Sequence, residues 1–61
     1  MGQFLIRRVG EGLWMGERQL MPEETRESLE QYLLLTGSTL RDLAFENADV
    51  RAEFEARFGL I

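Results

Sequence analysis

Short segments rich in apolar residues and separated by glycine open the chain. Residues 3–9 are rich in Phe, Leu, Ile and Val, and two glycine-containing breaks separate them from two further short segments. The second break, Gly16-Glu17, fits the Gly-X form of a two-residue hairpin turn. The pattern predicts a β-hairpin or a three-stranded meander over about residues 3–20.

A helical pattern replaces the strand pattern at Pro22. Proline suits the first position of a helix, and the two glutamates that follow it favour the positive end of the helix dipole. No further proline or glycine interrupts the chain before Gly37, a residue suited to ending a helix. The sequence therefore predicts a first α-helix over about residues 22–36.

Two shorter helices are predicted in the rest of the chain. Side chains that favour N-caps precede a segment at about 39–46 and another at about 49–58. In the second segment apolar residues recur every four positions, at Val50, Phe54 and Phe58. The predicted order is therefore strands first and three α-helices after them.

The chain is short, and it lacks the residues that most often reinforce small folds. It has 61 residues, with no cysteine and no histidine, so it can form neither a disulfide nor a Cys/His zinc site. A hydrophobic fraction of 44% with 30% charged residues nevertheless lies in the range of folded proteins. We predict a single α+β domain over residues 1–61 that holds no metal and no cofactor.

The same absences argue against an enzyme. All seven basic residues are arginine, so lysine is missing as well as histidine and cysteine. Without those groups Ser28 and Ser38 have no ordinary activator for nucleophilic attack. Gly10-Glu11-Gly12 lacks the further glycines, the lysine and the following helix of a phosphate-binding loop. We predict no catalytic residue.

Charge is divided unevenly along the chain. Residues 1–22 hold three arginines and two glutamates, whereas residues 23–61 hold four arginines and nine acidic residues, and the whole chain carries −4. An acidic helical half disfavours nucleic acid and anionic membranes as partners. No apolar run approaches the roughly 20 residues that span a bilayer, and no signal-peptide pattern opens the sequence. We expect a cytoplasmic protein whose partner is another protein.

The leading functional hypothesis rests on acidic side chains that share helix faces. Glutamates and one leucine align on one side of the first predicted helix, and further carboxylates lie on the last. Such a surface fits a basic partner, as in a phage- or mobile-element-type inhibitor or accessory protein that binds a larger host protein. The residues of this predicted acidic face are Glu23, Glu27, Glu30, Leu34, Asp49, Glu53 and Glu55.

The first alternative is a homo-oligomeric structural or assembly subunit. Both sides of the first strand carry apolar residues, although a half-buried strand normally shows one polar side. The second side of the sheet is therefore expected to pack against another chain, with Trp14 as a core residue or as an interface anchor. The residues of this predicted hairpin surface are Phe4, Ile6, Leu13, Trp14 and Met15.

Two nucleic-acid alternatives complete the set. Residues 40–58 have the spacing of a helix-turn-helix, with Ala48 at the turn, but the would-be recognition helix carries net negative charge and phosphate contacts need cations. Single-stranded RNA could instead stack on the sheet and bind arginine there. The residues that would serve this second alternative are Phe4, Arg7, Arg8 and Trp14.

Overall fold

The computed structural model describes residues 4–60, which form one four-stranded sheet and two α-helices. The α+β class is confirmed. Within the sheet the strands lie in the order β3-β2-β1-β4, with β4 parallel to β1 and the other neighbours antiparallel. The elements are β1 (Phe4–Val9), β2 (Gly12–Met15), β3 (Arg18–Gln19), α1 (Arg26–Leu35), a 3-10 turn (Leu40–Asp42), β4 (Leu43–Phe45) and α2 (Ala48–Arg57).

The first three strands form the meander that the glycine-punctuated pattern indicates. Gly16 closes the second turn with a positive φ of 63°, and its N–H donates a hydrogen bond of 2.9 Å to the carbonyl of Leu5. A Cβ at this position would lie 3.2 Å from the ring of Phe4. Glycine therefore serves both the backbone conformation and the close packing of the turn.

Helix α1 begins at Arg26, four residues later than predicted. Thr25 is extended and acts as the N-cap: its side chain accepts a hydrogen bond from the Ser28 N–H, while the Ser28 hydroxyl oxygen accepts one from the Thr25 N–H. This reciprocal capping box satisfies two backbone donors at the point where the helix starts. The predicted start at Pro22 is wrong because Thr25 offers the stronger cap.

The helix predicted over residues 39–46 is also wrong. Thr39 caps only a single 3-10 turn, and the chain then enters β4, which pairs Leu43, Ala44 and Phe45 with β1. A short apolar run is ambiguous between helix and strand. The free edge of β1 decides the outcome, because it supplies hydrogen-bond partners from a distant part of the chain. Residues 4–60 thus hold two α-helices instead of three.

Helix α2 lies within one residue of its predicted bounds, and both helices pack on the same face of the sheet. Asn47 caps α2, its side-chain oxygen accepting a 2.9 Å hydrogen bond from the Val50 N–H.

Side chains from three strands, both helices and the segments beside them form one core. Its buried members are Ile6, Leu13, Met15, Leu20, Leu29, Leu33, Leu43, Val50, Phe54 and Phe58.

Gly37 ends α1 in the left-handed region, with φ at 78°. Nothing lies within 4 Å of the position that a Cβ would occupy, so a side chain there would not clash with its surroundings. Its only cost would be the strain of the left-handed backbone conformation. We expect Gly37→Ala to lower the free energy of unfolding by about 1 kcal/mol. Gly37→Asn should lower it less, because asparagine tolerates this conformation. Urea denaturation followed by circular dichroism measures both, and equal stability of the glycine and alanine forms would contradict the argument.

Candidate functional site

One face of the sheet is covered by neither helix. Successive side chains of a strand point to opposite faces, and the core residues Ile6, Leu13 and Met15 point toward the helices. The alternate positions therefore point away from them. Pairing in the sheet brings these alternate residues together, with Arg7 opposite Trp14, Trp14 opposite Gln19 and Leu5 opposite Ala44. We call this surface the open face; its residues are Leu5, Arg7, Val9, Trp14, Gln19 and Ala44.

The open face is mainly apolar. Leu5 and Val9 are 42% and 44% exposed, and Trp14 is half-buried among its neighbours. A strand with one solvated face normally alternates apolar and polar side chains, and β1 departs from that rule at these two positions. Apolar side chains that share one uncovered face of a sheet often mark an interaction site.

Arg7 is the charged member of the open face. Its guanidinium carbon lies 5.7 Å from the centroid of the Trp14 ring, within the range of a cation–π contact. Within residues 4–60, the guanidinium groups of Arg7 and Arg41 are the two that make no hydrogen bond or ion pair. The N–H donors of Arg7 are therefore available to a ligand or partner at the surface.

The predicted hairpin surface is largely inside the protein. Ile6, Leu13 and Met15 are buried under the helices, and the Phe4 ring lies 6.2 Å from that of Tyr32 on the helix side. Only Trp14 among the five predicted residues lies on the open face. The strand pattern shows two apolar sides, and it does not show which side the helices cover.

Leu5, Arg7 and Val9 are the surface residues that the sequence-based prediction missed as a contact set. The signal that could have found them is their position in β1: they alternate with Phe4 and Ile6, so they occupy the opposite side of the strand. Gln19 and Ala44 join the set through pairing with neighbouring strands, which no local pattern reveals.

Ion pairs within the chain neutralise part of the predicted acidic face. Glu53 pairs with Arg8, and this hydrogen bond raises the pKa of the Arg8 guanidinium above its ordinary value. The other two pairs are helical i,i+4 pairs at 3.5 and 3.1 Å. They join Arg26 to Glu30 and Arg51 to Glu55. These carboxylates offer a partner less net charge than the sequence indicates.

The remaining carboxylates of the predicted acidic face do not form one surface. Arg26 donates a hydrogen bond of 3.2 Å to the carbonyl of Gly59, so the start of α1 lies beside the end of α2. Asp49 is in the first turn of α2, roughly 12–15 Å away at the rise of an α-helix. Glu23 and Glu27, which are exposed near the start of α1, are therefore separated from Asp49.

Leu34 is 73% exposed and lines a groove at the far end of α1. The groove has a volume of about 510 Å³ and is also lined by Glu30, Leu40 and Arg41. Leu34 is thus exposed, as the predicted acidic face requires, but its groove combines apolar side chains with an arginine. Glu30 is the one acidic residue of the groove and is paired with Arg26, so the groove adds little negative charge to the acidic face.

A polar cluster beneath α1 has a structural role. Arg18 on β3 donates from Nη2 to both carboxylate oxygens of Glu24, at 3.0 and 3.2 Å, and its guanidinium lies 4.4 Å from the centroid of the Tyr32 ring. The Ser28 hydroxyl donates a further bond of 2.8 Å to Glu24. These contacts tie the edge strand to the start of α1 and leave the Glu24 carboxylate satisfied within the protein.

The nucleic-acid alternatives lose much of their structural basis. Residues 40–58 contain one α-helix, since 43–45 form a strand of the sheet, so they lack the two helices of a helix-turn-helix. Of the four residues considered for RNA, Arg7 and Trp14 lie on the open face. Phe4 packs on the helix side, and Arg8 is paired with Glu53.

Comparison of the chain with protein-family models, with curated proteins and with solved structures finds no match. Within residues 4–60, no group of three or more acidic side chains is placed to hold a metal ion. Neither helix of that part of the chain is long and apolar enough to cross a membrane.

Proposed function

We propose that this chain is a non-enzymatic protein-binding module whose contact surface is the open face. The observation that carries the proposal is an apolar sheet face, centred on Trp14, that neither helix covers. Tryptophan and arginine are enriched among the residues that contribute most to binding energy between proteins, and here Trp14 and Arg7 are adjacent.

The size of the protein supports the same conclusion. A domain of 61 residues buries a smaller share of its surface than a larger one, so its stability is correspondingly limited. Its helices form a single layer, and a partner on the open face would complete a second layer over the sheet. The apolar side chains Leu5 and Val9 would then leave water on binding, which favours association.

An acidic helical contact is the second candidate. Glu23 and Glu27 are exposed, and neither forms an ion pair within residues 4–60. An inhibitor or accessory protein that binds a basic host protein would use them. The candidate ranks second because arginines pair with the other carboxylates of the predicted acidic face. In addition, Asp49 lies at the end of α2 that is far from Glu23 and Glu27.

Affinity capture with matched variants tests the proposal. The wild-type chain, Trp14→Ala and the double variant Glu23→Arg/Glu27→Arg are immobilised and exposed to lysate of the source cell. We expect proteins retained by the wild type to be lost with Trp14→Ala and kept by the double variant. Circular dichroism checks that each variant is folded.

The reverse pattern would contradict the proposal. Loss of the retained proteins with Glu23→Arg/Glu27→Arg alone would move the contact to the helices. Salt provides an independent measure, because added salt weakens contacts between exposed charges and weakens an apolar contact little. Retention that falls steeply with salt would likewise favour the acidic helical contact.

A further inference from the structure

An arginine, Arg7, lies beside Trp14 on the open face. Arg7 stands opposite Trp14 on neighbouring strands, and its guanidinium carbon lies 5.7 Å from the centroid of the indole ring. A cation–π contact uses none of the N–H groups of the guanidinium as hydrogen-bond donors to the ring, so these groups remain accessible. That planar set of donors matches the two oxygens of a carboxylate, which can accept two parallel hydrogen bonds.

Nothing in residues 4–60 satisfies those donors. The five arginines that make hydrogen bonds or ion pairs in that part of the chain use carboxylates or backbone carbonyls, and Arg7 has neither. A partner that covered the open face with apolar groups alone would bury a charge without a counter-charge, which is strongly unfavourable. Binding is therefore favoured for a partner that brings its own acceptor to Arg7.

We propose that the open face binds a protein segment in which one carboxylate for Arg7 lies beside an apolar side chain for Trp14. This inference rests on the proposed function. The charge on this face supports that occupant, since Arg7 is the single charged group among its six residues. Leu5 and Val9 extend the apolar contact along β1.

A phosphate backbone fits this surface less well. Nucleic-acid binding needs several cations and, for single strands, a series of aromatic rings, whereas the open face has one of each. Glu11 and Glu17 lie exposed in the turns at the two ends of β2, and the chain carries −4 overall. These charges repel a polyanion but still permit contact with one carboxylate.

Selection from a displayed library of short random peptides tests the inference. We expect peptides that bind the wild-type chain to share an aspartate or glutamate beside an aromatic or aliphatic residue. Fluorescence anisotropy of a labelled selected peptide should show binding lost with Trp14→Ala. Affinity should fall about tenfold or more with Arg7→Met, since a charge-assisted hydrogen-bond pair is removed. Arg41→Met is the matched control and should leave affinity unchanged, because Arg41 also has no side-chain hydrogen bond or ion pair within residues 4–60 but is not part of the open face.

Changes in the peptide provide a test that needs no folded variant. Replacing its acidic residue by the matching amide should weaken binding to the wild type as much as Arg7→Met does. The same replacement should have little further effect on the Arg7→Met variant, because the two groups act on each other. Independent effects of the two changes would overturn the assignment of the carboxylate to Arg7.

Further outcomes separate the inference from the proposed function. Peptides that need Trp14 but show no acidic residue would overturn the inference and leave the protein-binding function standing. A homo-oligomer in sedimentation analysis that Trp14→Ala dissociates, or tighter binding of a thymidine oligonucleotide than of any peptide, would also overturn it. Absence of any Trp14-dependent peptide binding or self-association would overturn both.

Discussion

Replacing Leu33 with alanine is expected to lower the free energy of unfolding by about 3 kcal/mol, the usual result of deleting a buried leucine side chain. Leu33 is fully buried in the core between α1 and the sheet. Domains of this size rarely have more than about 3–5 kcal/mol from a single core. The variant should therefore be partly or wholly unfolded without a stabilising additive, as urea denaturation followed by circular dichroism would show.

The next residue along the chain provides the control. Leu34 is also a leucine of α1 but is 73% exposed. We therefore expect Leu34→Ala to change the free energy of unfolding by less than about 0.5 kcal/mol. The pair thus measures burial alone. Equal effects of the two substitutions would show that α1 does not bury the face described above.

Replacing Glu24 with glutamine is expected to lower the free energy of unfolding by about 2 kcal/mol. The Glu24 side chain is only 7% exposed and accepts hydrogen bonds from Arg18 and Ser28. Glutamine nearly keeps the shape but removes the charge, which leaves the partly buried Arg18 guanidinium without its counter-ion. One nitrogen of that guanidinium is already buried without a hydrogen-bond partner, so no second acceptor compensates.

Glu23 is the matched control for this prediction. It precedes Glu24 directly and is exposed, so Glu23→Gln should leave stability within about 0.5 kcal/mol of the wild type. Thermal or urea denaturation of the two variants makes the comparison. If Glu24→Gln proved as stable as Glu23→Gln, the cluster of Arg18, Glu24 and Ser28 would not tie β3 to α1 as the structure indicates.

Local signals in the sequence predicted the elements whose causes are local. The glycine-containing breaks gave the meander, and the four-residue spacing of Val50, Phe54 and Phe58 gave α2. The predicted start of α1 at Pro22 is wrong because the capping box of Thr25 and Ser28 starts the helix later in the chain. Strand β4 was missed because its partner, β1, lies far away in the sequence.

The candidate site was only half accessible to the same reasoning. The sequence leaves Trp14 as either a core residue or an interface anchor, and the two-sided apolar character of the first strand indicates a second contact surface. The residues that accompany Trp14 on the open face could not be predicted, because the sequence does not show which side of the strand the helices cover. The prediction of the acidic face did not include the ion pair between Arg8 and Glu53, because these residues meet only when β1 and α2 pack together.

The sequence by itself determined the α+β class, the meander, α2 and the lack of cysteine, histidine and lysine. Periodicity and turn chemistry depend on residues close together in the chain, and composition does not depend on the fold at all. The tertiary structure decided which apolar side of the sheet is buried, which carboxylates are paired, and that residues 43–45 form a strand. Each of these depends on contacts between segments distant in sequence, and packing of both helices on one face settles them together. That packing leaves Trp14 and Arg7 side by side on the other face.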